Sequence, residues 1–163
     1  MNISPLQRLR YDYQPKLPAI LREDIKTILP VVGEETSPAH DKEALKALFP
    51  HTYGLPSVHF AKGENKIIGA RRNVGVILSG GQAPGGHNVI SGLFDAMKAA
   101  NPENELYGFR GGPRGILNDS YTLITEEFLA PFRNTGGFDI IGSGRDKLET
   151  ATVRSVCQSL QKT

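Results

Sequence analysis

Cysteine is almost absent from this sequence, and so are long apolar runs. Cys157 is the only cysteine among the 163 residues. A single cysteine cannot form an intramolecular disulfide, so we expect a reducing compartment, the cytoplasm. No apolar run approaches the roughly 18 residues that a membrane-spanning helix needs. The first residues also lack the apolar core of a secretory signal, so neither secretion nor a membrane partner is expected.

An excess of charge of one sign is also missing. Lys and Arg number 19 and Asp and Glu number 17, which gives a formal net charge of +2. Proteins dedicated to nucleic acids usually carry a basic face or tail, so no nucleic-acid partner is expected. The content of 39% apolar and 22% charged residues is typical of a globular chain. The length predicts about one domain.

Prolines divide the first part of the chain, residues 1–72, into short pieces. Ser37 and Pro38 form a typical helix start, and Pro50 ends the apolar pattern that follows them. Residues 17–28 are a second possible helix. We therefore predict a mostly helical and irregular extension in this part of the chain.

The second part, residues 73–163, alternates strand and helix patterns. Apolar runs predict strands at residues 74–78, 106–109 and 138–141. Apolar residues at helical spacing predict a helix at residues 89–97, which Asn101 and Pro102 end. Thr125 is the expected cap of a short helix that runs to residue 132, and a further helix is predicted at residues 150–160. This order predicts an α/β fold with three parallel strands and flanking helices. Three strands are few for such a sheet, so we expect the chain to be the first part of a longer protein.

A glycine-rich loop at residues 79–88 follows the first predicted strand. Backbone N–H groups at a helix start have no partner within the helix and attract anions. Gly80 and Gly81 leave room for phosphate oxygens beside the main chain. The loop is not a Walker A motif, because Gly86 and His87 stand where that motif needs Lys and Ser or Thr. The residues alone leave two interpretations open, a phosphate site and ordinary tight turns.

Two further loops, at residues 109–115 and 142–147, follow the other predicted strands. Ligands of open α/β sheets bind beyond the carboxyl ends of the strands, so all three loops are expected to face one crevice. The basic residues that these loops bring there are Arg110, Arg114, Arg145 and Lys147. Guanidinium groups form bidentate hydrogen bonds with phosphate oxygens, so this set of residues is typical of an anion site.

Three sequence blocks, at residues 75–92, 107–113 and 136–147, resemble motifs of the pyrophosphate-dependent phosphofructokinases. The long form of that family, which includes the plant β subunits, is the most similar. The resemblance covers essentially the whole chain. It implies that residues 1–72 are an N-terminal extension and that residues 73–163 begin a phosphofructokinase-type lobe.

The resemblance implies a phosphotransferase that converts fructose 6-phosphate to fructose 1,6-bisphosphate with pyrophosphate, reversibly and with Mg²⁺. By resemblance, Arg145 stabilises charge on the transferred phosphoryl group, and Gly80, Gly81 and Arg145 bind the diphosphate. The residues implied as further lining of the donor site are Ser79, Gln82, Arg110, Arg114 and Lys147.

The same resemblance implies that the general base and the Mg²⁺ ligands lie beyond Thr163. We therefore expect no metal site within this chain and no activity from the chain alone. The complete enzyme is expected to be a homo-oligomer or to pair with other phosphofructokinase subunits. Two alternatives stay open: ATP as donor, and a non-catalytic truncated protein that pairs with a full-length subunit. His87 is expected to pack or to add polarity at a helix start, with pyrophosphate contact as the alternative.

Overall fold

A computed structural model describes residues 3–66, 69–81 and 83–148 of the chain. These residues form two compact units. The α/β unit contains the described parts of Met1–Pro15 and Gly69–Thr163, and the hairpin unit contains those of Lys16–Ile68. The domain boundary at residue 72 stays a prediction.

The described elements follow one another along the chain as helices, strands and 3₁₀ turns. The helices and strands are α1 (Pro5–Asp12), β1 (Ile28–Glu35), α2 (Lys42–Leu48), β2 (Pro56–Lys62), β3 (Asn73–Val76), α3 (Gly86–Ala100), β4 (Glu105–Phe109), α4 (Pro113–Leu117), β5 (Tyr121–Ile124) and α5 (Glu126–Leu129). The 3₁₀ turns are Ala19–Arg22, Ile25–Thr27 and Ala130–Phe132.

The hairpin unit is built on an antiparallel pair, β1 and β2, in which Val31 lies opposite His59 and Val32 opposite Val58. The prediction of a mostly helical and irregular extension is therefore incomplete. The β-branched residues of both strands favour extended backbone. The helix predicted at residues 17–28 is wrong, because this segment forms only two short 3₁₀ turns before β1 begins.

Helix α2 begins later than Ser37 and Pro38 predict. Its N-cap is Asp41, which adopts a left-handed conformation with φ of 54°. Only from Lys42 onward does the sequence consist of strong helix formers.

The α/β unit contains a three-stranded mixed sheet in the order β3–β4–β5. Strands β3 and β4 are parallel, with Val74 opposite Leu106, and α3 connects them. A parallel pair needs such a crossover connection, so this part of the predicted α/β fold is confirmed. The third strand is β5, which runs antiparallel to β4, with Leu106 opposite Ile124.

The strand predicted at residues 138–141 is wrong. Two consecutive amides, those of Asp139 and Ile140, both donate to one ring nitrogen of His87, each over 3.1 Å. In a strand, successive N–H groups point to opposite sides, so this arrangement cannot belong to a regular ladder. Further along, this segment forms a single parallel bridge between Gly144 and Ser79, which lies beyond the end of β3.

The apolar core of the α/β unit lies between α3 and one face of the sheet. Its buried members are Leu78, Ile90, Phe94, Met97, Leu106, Ile124, Leu129, Ile140 and Ile141. The predicted apolar face of α3 is confirmed apart from Val89, which is exposed. Helix α3 ends at Ala100, with Asn101 as its C-cap directly before Pro102, as the sequence predicts.

The short helix α5 begins at Glu126, and its N-cap is Thr125, as the sequence predicts. Thr125 Oγ1 accepts a hydrogen bond of 3.2 Å from the Phe128 amide. The helix predicted at residues 150–160, with Cys157, lies outside the described residues. Within the ranges that the structure describes, no helix combines the length and the apolar character needed to cross a membrane.

Candidate functional site

Three glycine loops meet beyond the carboxyl ends of β3 and β4, as the sequence predicts. Loop 1 (residues 77–81 and 83–85) follows β3, loop 2 (residues 110–112) follows β4, and loop 3 comprises residues 141–147. The Gly80 amide donates to the Gly144 carbonyl over 2.8 Å, and the Gly144 amide donates to the Leu78 carbonyl over 3.4 Å. Loops 1 and 3 are therefore bonded to each other through the backbone.

Loop 2 packs against both of the other loops. The Gly111 amide donates to the Ile141 carbonyl over 2.8 Å. A Cβ atom on Gly112 would lie 2.5 Å from the Gly144 nitrogen and 2.8 Å from the Leu78 carbonyl oxygen. Only a glycine allows this approach of the three backbones.

A pocket of about 340 Å³ opens between loops 2 and 3. Its lining residues are Gly111, Arg114, Ser143, Gly144, Arg145 and Asp146. Arg114 binds the Asp146 carboxylate through Nε at 3.3 Å and Nη2 at 3.1 Å. Two guanidinium groups and one carboxylate line the pocket, so its net charge is positive.

Arg145 extends from loop 3 toward loop 1. Its Nη2 atom would lie 2.8 Å from a Cβ on Gly81. The guanidinium thus occupies the space that the missing side chain of Gly81 leaves open. Within the described part of the chain, no partner is found for the Gly81 amide. Gly81 and Arg145 together offer a backbone donor and a cation at one place.

The structure brings together only some of the implied site residues. Arg114 and Arg145 line the pocket, and Ser79 lies beside Gly144 in the parallel bridge. Arg110 and Lys147 are exposed and do not line the pocket. Gln82 lies outside the described residues.

A phosphate-binding helix start is expected to have free backbone N–H groups, and the start of α3 differs from this expectation. The Gly85 amide donates to the Gly136 carbonyl over 2.8 Å, and the His87 amide donates to the Gly137 carbonyl over 3.0 Å. These donors are therefore already used within the chain, as is the Gly80 amide. Gly80 has φ of 106°, and its role in diphosphate binding stays a prediction.

His87 is buried at the start of α3, with 3% of its surface exposed. Its Nδ1 atom lies 2.6 Å from Thr135 Oγ1, and its Nε2 atom accepts the Asp139 and Ile140 amides. Its ring also meets the Phe132 ring edge-on, with 5.0 Å between the centroids. The expectation that His87 packs at the helix start is therefore confirmed.

Sequence reasoning missed the roles of Asp146 and Thr135. Asp146 holds Arg114 at the pocket, and Thr135 orients the buried imidazole. Adjacency to Arg145 was the one available signal for Asp146. Thr135 lies 48 residues from His87, so no local pattern connects these two residues.

A Mg²⁺ ion needs several oxygen ligands, usually carboxylates and water. Among the described residues, no group of three or more His, Cys, Asp or Glu side chains is placed to hold a metal ion. In the pocket itself, the Asp146 carboxylate is paired with Arg114. The residues that the structure describes therefore do not fit a magnesium site.

The mixed sheet, its flanking helices and the loops beyond its strand ends define an α/β chain of the phosphofructokinase type. Relatives named pyrophosphate–fructose 6-phosphate 1-phosphotransferase occur in Porphyromonas gingivalis, with 53% identity over 91% of this chain, and in Entamoeba histolytica, with 48% over 92%. A relative from Solanum tuberosum, named as the β subunit of that enzyme, is 44% identical over 90% of the chain.

By sequence, the chain is similar over 91% of its length to a pyrophosphate–fructose 6-phosphate 1-phosphotransferase. The resemblance found in the three sequence blocks is thereby confirmed. The chain spans about a quarter of the length of these curated relatives: 27%, 27% and 26% of the three proteins named above. No family model matches the chain.

Proposed function

We propose that this chain is the first part of an enzyme that transfers a phosphoryl group from pyrophosphate to fructose 6-phosphate. The products are orthophosphate and fructose 1,6-bisphosphate, and the reaction is reversible. The observation that carries the proposal is the position of the Arg145 guanidinium against Gly81, where the three glycine loops meet. Similarity to enzymes named for this reaction supports the same substrates.

In the proposed reaction, pyrophosphate binds beside the Gly81 amide and the Arg145 guanidinium, which lie next to each other. Phosphoryl transfer spreads negative charge over the equatorial oxygens, and a fixed guanidinium stabilises that charge. The Gly81 amide donates to a donor oxygen, while Gly80 gives loop 1 its shape. Arg114 and Ser79 lie close enough to the same loops to line the donor site.

Other parts of the proposal rest on the family resemblance. The general base and the Mg²⁺ ligands are expected beyond Thr163, so the 163-residue chain alone should form no fructose 1,6-bisphosphate. Arabidopsis thaliana relatives are named as β and α subunits of the enzyme. We infer that the complete protein acts in the cytoplasm and assembles from more than one subunit.

A chimeric enzyme tests the proposal. This chain replaces the matching segment of the Porphyromonas gingivalis relative, and formation of fructose 1,6-bisphosphate is measured with pyrophosphate and then with ATP. We expect activity with pyrophosphate only. An inactive but folded chimera would contradict the proposal, and activity with ATP alone would favour the alternative donor.

Arg145→Ala in that chimera tests the role of the guanidinium. Removal of one such charge-stabilising donor typically lowers kcat by about 10²–10³-fold. Arg72→Ala is the matched control, because Arg72 is exposed and does not line the pocket. We expect it to leave kcat unchanged. Equal effects of the two substitutions would exclude a specific role for Arg145.

A further inference from the structure

We propose that His87 is a positioning residue that sets the place of Arg145 through the backbone of residues 139–145. This inference rests on the proposed function of Arg145 as the phosphate-binding cation. The imidazole does not reach the pocket itself. It holds the segment from which loop 3 starts, and it is buried with 3% of its surface exposed.

The hydrogen bonds of His87 define one tautomer. Nε2 accepts two backbone N–H groups, those of Asp139 and Ile140, so this nitrogen carries no proton. The proton is then on Nδ1, which donates to Thr135 Oγ1 over 2.6 Å. The Thr135 hydroxyl donates in turn to the Phe132 carbonyl over 2.6 Å. This tautomer is assigned from the hydrogen-bond geometry.

The Asp139 carboxylate also lies near this ring, with Oδ1 2.9 Å from Nε2. Its side chain is 77% exposed and can turn to water, whereas the two amides are fixed in the backbone. The amides therefore decide the tautomer. Because they point to the same nitrogen, the chain must bend at residues 139–140 instead of continuing as a strand.

The bend is connected to Arg145 by a short and tightly held stretch of chain. Ile140 and Ile141 are buried in the core, and the Ile141 carbonyl accepts from Gly111. The Gly144 carbonyl accepts from Gly80 over 2.8 Å, directly before Arg145. His87 fixes one end of this stretch, and loops 1 and 2 fix the other.

Packing leaves the imidazole no alternative position. A Cβ atom on Gly137 would collide with His87 Cε1, and one on Gly86 would collide with the Phe138 ring. The start of α3 and the segment before loop 3 therefore fit together at van der Waals contact. A change in the acceptor at His87 is expected to move residues 139–145 rather than be absorbed locally.

NMR spectra of the ¹⁵N-labelled 163-residue chain provide the first test. We expect the His87 ring to carry its proton on Nδ1. In His87→Phe, which keeps an aromatic ring but removes the acceptor, the amide signals of Ser143, Gly144 and Arg145 should shift. In His87→Gln, whose side-chain oxygen can accept near the Nε2 position, they should return toward the wild-type values. Shifts confined to residues 135–140, or a proton on Nε2, would overturn the proposal.

Kinetics of the chimera provide the second test. A displaced catalytic group can lower the rate by about 10²-fold, so we expect His87→Phe to lower kcat by about ten- to a hundredfold. The KM for pyrophosphate should rise, and the KM for fructose 6-phosphate should not. In an Arg145→Ala background, His87→Phe should have little further effect, because it acts through Arg145. Additive losses would contradict this inference.

The two tests separate this inference from the proposed function. If the wild-type chimera is inactive while the NMR shifts appear as expected, the proposed reaction fails and the coupling of His87 to Arg145 remains. If the chimera is active but the shifts and the kinetic coupling are missing, only the role of His87 is lost.

Discussion

The two units use apolar residues in different ways. The α/β unit buries its large aliphatic residues between α3 and the sheet, and Ile90 has no exposed surface. Among the described residues of the hairpin unit, only Thr27 is buried. Its exposed large apolar residues are Leu17, Leu21, Val31, Val32, Leu48, Phe49, Leu55, Val58 and Phe60.

This difference explains why the site loops are attached to the α/β unit. A guanidinium that stabilises developing charge must be held in place before the substrate arrives. The three loops leave strands and helices whose side chains are fixed by close packing. A two-stranded hairpin with exposed faces is held mainly by its backbone hydrogen bonds and cannot provide such support.

The largest expected effect is that of Ile90→Ala. Removing a buried aliphatic side chain and leaving a cavity costs about 2–5 kcal/mol, and we expect about 3–4 kcal/mol at this fully buried position. Phe60→Ala in the hairpin unit is the comparison, because Phe60 is 63% exposed. We expect it to cost about 0.5 kcal/mol or less.

Denaturation with urea, followed by circular dichroism, measures both free energies of unfolding. If Phe60→Ala lowers the free energy of unfolding about as much as Ile90→Ala does, the two units do not differ in how they bury apolar side chains. It would mean that the hairpin face is covered in solution, by another copy of the chain or by the rest of a longer protein.

The sequence predicts the α/β unit well where the signal is local. The apolar run at β3, the spacing of Ile90, Phe94 and Met97 in α3, and the cap at Thr125 each lie within a few residues. The meeting of loops 1 and 2 also followed from a general rule, because the carboxyl ends of parallel strands share one edge of a sheet. Loop 3 joins them although the strand predicted before it does not form.

The sequence-based predictions are wrong where residues far apart in the chain form hydrogen bonds with the same backbone groups. Residues 138–141 and 121–124 are both short apolar runs, and only the second is a strand. His87, 52 residues before Asp139, takes the amide that a ladder would use. In the hairpin unit, the prolines favoured irregular backbone, yet β1 accommodates Pro30 opposite Phe60. Such pairings cannot be deduced from one stretch of sequence.

The next largest effect is expected at a glycine of the site. Gly112 has φ of 75° and ψ of −140°, a conformation that side chains strongly disfavour, and backbone atoms of loops 1 and 3 approach it. We expect Gly112→Ala to cost about 2–3 kcal/mol. Gly54, in the hairpin unit, has φ of 73° with open space around it, so Gly54→Ala should cost only about 1 kcal/mol.

The same urea titration compares the two glycine variants, and NMR shifts of Gly144 report on the loops. Gly112→Ala should shift the Gly144 amide signal, and Gly54→Ala should not. If both variants lose the same stability, conformational strain alone is responsible. The close approach of the three loops would then contribute nothing measurable.

The smallest expected effect is on the stability of the fold at acidic pH. Hydrogen bonds from Tyr107 and then from Arg71 lower the pKa of Glu105 below its ordinary value of 4.5. In the hairpin unit, Lys66 and then the Lys26 amide lower the pKa of Asp24 below 3.8. A lowered pKa in the folded state means that each carboxylate stabilises the fold above its unfolded pKa. That stabilisation is lost as the pH falls through the folded pKa.

Salt should distinguish the two carboxylates. The main partner of Asp24 is the charged Lys66, at 2.8 Å, and exposed ion pairs are screened by salt. The main partner of Glu105 is the neutral Tyr107 hydroxyl, which donates over 2.7 Å. Thermal unfolding between pH 3 and 7, at low salt and at about 1 M salt, compares Glu105→Gln and Asp24→Asn with the wild type. We expect the effect of Asp24→Asn to disappear at high salt and part of the effect of Glu105→Gln to remain. Equal loss of both effects would show that Arg71, rather than Tyr107, accounts for the contribution of Glu105 to the α/β unit.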